Sequence, residues 1–188
     1  MTGTTVIDGL DYGPLACLVG TWAGDKGMDV APEPEGPVSS PYYETILFEA
    51  CGDVDNAGVQ DLVIVRYHQV VHRKSTGKVF HNESGYYCWD ASRSLVMQSF
   101  TIPRGVALVA GGTGEVTADG GRIQVAAGMD DPDWTVAQAP FMRDNAATRS
   151  FSHQVEVTGD TMRYSETTVV RIYGKDFDHT DHNILRRG

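Results

Sequence analysis

The chain has little with which to hold a nucleic acid. Its 15 lysines and arginines stand against 25 aspartates and glutamates, a formal charge of -10. Such a balance repels a phosphate backbone unless basic residues gather locally, and Arg186-Arg187 is merely a tail pair. Also lacking is any run near the roughly 20 apolar residues of a membrane span. The N-terminus does not show the basic, then apolar, then small-residue order of a signal peptide. These absences predict a cytoplasmic protein that neither inserts into membranes nor binds nucleic acid. Three cysteines, Cys17, Cys51 and Cys88, are an odd number without C-x-x-C spacing. That excludes a disulfide framework and a zinc knuckle, and they read as buried small residues of a reducing compartment. No G-x-S-x-G elbow, P-loop or dinucleotide fingerprint occurs.

Turn-forming residues are plentiful. The 21 glycines and 8 prolines cut the 188 residues into short runs rich in Val, Ile, Thr, Tyr and Phe, the rhythm of strands joined by tight turns. With 41% apolar side chains the length suits one domain, 1–188, with a real core. A helical turn is expected over 12–18, then strands over 19–24, 42–50, 60–73, 79–89, 94–102, 106–117, 122–127, 151–157 and 161–173. The proline-rich stretch 31–37 is expected to be an exposed loop, because proline donates nothing to a ladder. Residues 51–59 and 129–145 read as inserts, and 139–142 suits either a short helix or an edge strand. About ten sequential antiparallel strands fit an up-and-down β-barrel of the lipocalin or fatty-acid-binding-protein kind, since closure removes the edges that long strands expose.

Alternation within the strands suggests a hollow interior. The run 62–73 mixes apolar and ionisable groups on both faces, as the wall of a partly polar ligand cavity would. Solvent-facing strand ends explain Arg66 and Arg73 equally well. On 161–173, Met162, Tyr164, Glu166, Thr168, Val170 and Ile172 share one face, and the two arginines, Arg163 and Arg171, occupy the other. The first face is therefore the inner one. Glu166 then sits inside, where a carboxylate needs a donor, a cation or a retained proton.

Two motifs carry a resemblance. Gly20-Thr21-Trp22-Ala23-Gly24 is followed by Gly27, and His81-Asn82-Glu83-Ser84-Gly85-Tyr86 is followed by Gln98-Ser99. With these residues the chain resembles the nitrobindin family, haem-binding β-barrels of the fatty-acid-binding-protein-like group. It departs from that family's G-x-W-x-G-x-G signature by delaying the last glycine one place. The resemblance implies haem b in the barrel, with Trp22, Phe80, His81, Gln98 and Thr168 as cofactor-binding residues. It also implies a proximal iron ligand just after the last strand, before a short C-terminal helix. His179 and His182 are the candidates, with His179 preferred because Thr180 makes a good N-cap and leaves it free to point into the barrel mouth. A neutral imidazole suits haem iron, and Asp178 or Asp181 would fix its tautomer. NO or peroxynitrite chemistry, peroxynitrite isomerisation in particular, is what the resemblance implies for the bound cofactor. Alternation puts Phe80 and His81 on opposite faces unless the strand bulges.

The competing expectation is a non-haem carrier of a fatty acid or other lipophile, with an inward arginine or tyrosine holding the head group. A zinc enzyme built on His68, His72 and His81 is disfavoured, because strand residues four apart stand roughly 13 Å apart at ~3.3 Å per residue. A homodimer through exposed strands is left open.

Overall fold

Period-two burial organises most of this chain. The computed structural model describes residues 4–188; the first three residues of the expected domain lie outside the described ones. A two-residue hairpin, β1 (Val6–Ile7) with β2 (Leu10–Asp11), leads to a 3-10 helical turn over Gly13–Leu18, where the sequence predicts one. Then follow β3 (Gly20–Glu33), β4 (Gly36–Ala57), β5 (Gln60–Arg73), β6 (Val79–Asp90), β7 (Leu95–Ile102), β8 (Val106–Thr117) and β9 (Gly120–Gly128). A short β10 (Val136–Gln138) and α1 (Pro140–Asn145) precede β11 (Ala146–Thr158), β12 (Thr161–Ile172) and β13 (Lys175–Arg187). On β4, Tyr42, Glu44, Ile46 and Phe48 are buried while Tyr43, Thr45 and Leu47 are exposed. The same alternation on β9 buries Ile123, Val125 and Ala127 and leaves Arg122, Gln124 and Ala126 outside.

Each long strand pairs antiparallel with its sequence neighbour from β3 to β9, β9 pairs with β11, and β13 pairs with both β12 and β3. The result is the closed ten-stranded all-β barrel expected. β10 extends the wall beside Val106 to Leu108 of β8, so the ambiguous stretch 129–145 supplies both an edge strand and a short helix.

One end of the barrel is plugged. The 3-10 turn buries Leu15 and Leu18 beside the wholly buried Trp22 and Leu185. Trp22 Nε1–H donates to the Leu18 carbonyl at 2.6 Å, and the Arg187 guanidinium lies 4.2 Å over the Trp22 ring. Arg187 also donates to the Cys17 carbonyl at 2.9 Å, tying the chain's last strand to the plug.

Three expectations need correction. Residues 31–37 are no loop, since β3 and β4 pair through Pro32↔Pro37 to Glu33↔Gly36. Both prolines lie beyond Val30, where β13 stops pairing with β3, and beyond Tyr42, where β5 stops pairing with β4. The tip is thus an edge on both sides, where a missing N–H costs nothing. No helix follows the last strand: residues 175–187 form β13, because the gap between β3 and β12 offers hydrogen-bonding partners along most of the segment, worth more than a capped turn in water. The cysteines are not buried, Cys51 being exposed and the other two intermediate. Among the described residues no helix is long and apolar enough to cross a membrane.

Candidate functional site

A two-lobed cavity occupies the end of the barrel opposite the plug. The smaller lobe, about 120 Å³, is polar and is walled by β3 to β6, β12 and β13. The larger, about 270 Å³, is mostly apolar and takes its wall from β3, β6 to β8, α1 and β11 to β13, with Arg104 from the turn between β7 and β8. Phe80, His81, Glu166, His179 and Asp181 border both, so the lobes communicate. Together they are a modest space by the standard of small-molecule pockets, which run from roughly 300 Å³ upward.

Two bulges decide what faces this space. In β3, Gly24 pairs with Glu44 and Gly27 with Tyr42, so Asp25 and Lys26 together oppose Tyr43. The extra residue restores the inward phase at Gly27 and Asp29. A Cβ on Gly27 would come within 2.0 Å of the Tyr42 ring, which explains the glycine. The spare Lys26 N–H donates to Asn183 Oδ1 at 3.1 Å. In β6, Val71 pairs with His81 but His72 with Val79. Phe80 is the unpaired residue, and both it and His81 line the cavity.

The remaining expected site residues divide. His179, on β13, reaches the cavity, and Thr168 lines the larger lobe. His182 is exposed, one residue out of phase with His179 and Asp181. Gln98 is buried beneath the cavity, donating from Nε2 to the Tyr67 hydroxyl at 2.9 Å. Trp22 belongs to the plug and is not among the cavity-lining residues. Arg66 is exposed and pairs with Glu49 at 2.6 Å, a solvent-facing contact.

The polar lobe and the wall behind it are rich in acids, of which the sequence reading named Glu83, Glu166 and Asp181 but not Asp29 or Glu44. His179 Nε2 lies 2.6 Å from Asp29 Oδ1 and 3.5 Å from Asp181 Oδ2. Burial alone would lower the His179 pKa, but the Asp29 hydrogen bond and the Asp181 charge outweigh it and raise the pKa above its ordinary value. Asp181 is pushed up to about 6 by burial. His81 Nε2 is 3.3 Å from Glu83 Oε2, and Glu83 also accepts a short hydrogen bond from the Tyr67 hydroxyl. The His81 pKa is raised as well, burial being outweighed by Glu83. Glu44 is almost wholly buried and accepts from Gln69 at 2.5 Å, Tyr164 at 2.8 Å and Asn183 at 2.7 Å. Burial still holds its carboxyl above the usual range. Glu166 accepts no hydrogen bond among the described residues, and burial raises its pKa well above normal, with the Glu83 charge adding to it.

Asp29, His179 and Asp181 also place one ligand atom each within 4.8 Å of one another. The pattern was partly legible: Glu83 is two residues from His81, and Glu44 is two from Tyr42 and from Ile46, all on inward phases. Asp29 was hidden, because its phase depends on the β3 bulge.

A barrel closed at one end, with a guest-sized hollow at the other, defines a small-ligand-binding barrel. The chain belongs to the THAP4-like, heme-binding beta-barrel domain family, whose model matches residues 11–187. That membership agrees with the nitrobindin resemblance of its motifs. Among solved structures it is similar to "Crystal Structure of Rv2717c from M. tuberculosis", with a TM-score of 0.71 and 22% identity over 93% of this chain and 94% of that one. At that identity the likeness bears on the fold. No curated protein sequence matches the chain.

Proposed function

We propose that this protein is a carrier that takes a small, largely apolar molecule into the barrel cavity. The observation that carries the reading is the cavity's division into an apolar lobe, walled by Phe100, Ile102, Leu108, Phe151 and Val170, and a polar lobe that continues it. Apolar walls supply affinity and a few placed polar groups orient the guest. A cytoplasmic setting accords with three cysteines that form no disulfide. A homodimer would use the exposed Leu47, Tyr86 and Val109 of the outer wall.

Haem b is the second reading, favoured by the family's description and by His179 bordering the cavity. His179 would hold the iron and the larger lobe the ring. The residues present do not fit this group well. An axial imidazole must be neutral, with a free lone pair. The Nε2 of His179 is instead bound to Asp29 in a pair that favours the proton, so iron would have to meet Nδ1. Three further carboxyl side chains, Glu83, Glu166 and Asp181, face the space where two propionates would have to be accommodated. No step at NO or peroxynitrite follows from such a site.

Haem titration followed in the Soret region separates the readings. The carrier reading expects no Soret shift that depends on His179. A shift in the native protein that disappears in His179→Ala overturns it in favour of haem.

A further inference from the structure

Counting donors against acids in the polar lobe leaves one carboxyl without a partner. Glu44 is satisfied by Gln69, Tyr164 and Asn183. Glu83 has Tyr67 and His81, and Asp29 has His179. Asp181 shares the His179 nitrogen at the longer distance of 3.5 Å. Glu166 has none among the described residues, and it is half-buried with its side chain bordering both lobes of the cavity. A carboxyl in that state is costly until it meets a cation or keeps its proton.

We infer that the guest carries a protonated amine, seated between Glu166 and Asp181, with its apolar body in the larger lobe. The inference rests on the carrier reading and names the chemical class of the guest. An ammonium has three N–H donors and no acceptor, which matches one unpartnered carboxyl and one half-partnered neighbour. The Phe80 ring, which borders the same lobe, already carries the Arg73 guanidinium 5.0 Å from its centroid, so the carboxyls alone hold the ammonium. A fatty acid would bring a fifth carboxylate to a lining that already has Asp29, Glu83, Glu166 and Asp181, against the single exposed arginine, Arg104, of the larger lobe. A divalent metal at Asp29, His179 and Asp181 would have to break the Asp29–His179 hydrogen bond, whereas an amine leaves that pair intact.

Calorimetric titration at pH 7 with octylamine, 1-octanol and octanoate compares three head groups on one tail. Octylamine is expected to bind about 10- to 100-fold more tightly than octanol, the range of a charge-assisted hydrogen bond, and octanoate more weakly than either. In Glu166→Gln the advantage of the amine shrinks at least about tenfold while octanol affinity holds. Asp181→Asn gives the same direction by a separate route should the first variant fold poorly. If octanol binds but the amine has no advantage, or keeps it in both variants, the inference falls and the carrier stands. If none of the three ligands binds, the carrier reading falls with it. Zinc ion alone displacing octylamine, and failing to do so in Asp29→Asn, would assign the lobe to a metal and overturn the inference.

Discussion

His179 and Asp29, 150 positions apart in the sequence, meet across the β13–β3 seam with Nε2 and Oδ1 at 2.6 Å. The pair lines the smaller lobe of the cavity. Its removal should be visible on the imidazole itself.

In Asp29→Asn the His179 pKa is expected to fall, since the hydrogen bond that offsets burial is weakened. Imidazole chemical shifts across a pH titration report it directly. A raised histidine pKa contributes stability that is complete below about 6.5 and is lost as pH rises through the folded value. That loss should flatten in the variant. Freeing Nε2 also makes Asp29→Asn, rather than the native chain, the background in which added haem should give a His179-dependent spectrum. An unchanged His179 titration would mean the pair does not form in solution.

His153 works in the opposite sense. Burial holds its pKa down at about 4, its Nε2 has no partner, and its Nδ1 lies 3.2 Å from both Gln98 Oε1 and the Tyr87 hydroxyl. Between about 6.5 and 4 the unfolded chain binds the proton first, so this residue costs stability as pH falls. Asp181, raised to about 6, pulls the other way: its contribution is full below the unfolded value and lost as pH rises to 6. In His153→Phe the acid penalty is absent, and the variant should gain on the native chain by on the order of 2 kcal/mol between pH 7 and pH 4. Urea midpoints at the two pH values measure the difference. A constant offset would show that His153 does not titrate this way.

Trp22 anchors the plug. Trp22→Phe strands the buried Leu18 carbonyl and removes the stacking with Arg187, a loss of about 2 kcal/mol readable from urea unfolding. Octanol affinity should be unchanged. A parallel fall in affinity would return Trp22 to the guest site.

Much of the barrel is legible because its short β-rich runs are separated by joints of turn residues, even where alternation within a run such as 62–73 is mixed. Glu166 and Thr168 fall on the inner face from the positions of Arg163 and Arg171 alone. The delayed glycine of the opening motif is itself the trace of the β3 bulge: one residue is added, and Gly27 still arrives under the Tyr42 ring. What stays hidden is whatever depends on partners far along the chain. Asp29 turns inward only because of that bulge. The strand at 175–187 exists because β3 and β12 leave a gap of its width, while its own composition, with Asp176, Asp178, His179, Thr180, Asp181 and Asn183, speaks for a turn. The prolines at 32 and 37 read as breakers until both are seen to lie past the ends of their neighbours.

The seam between β13 and β3 also governs how the molecule can be made. A ribosome delivers β3 about 150 residues before the strand that completes its pairing. Until then the nascent sheet carries two raw edges. Circularisation of this fold is therefore a late event in synthesis, and a chain stalled before Lys175 would offer strand edges to its neighbours rather than to itself.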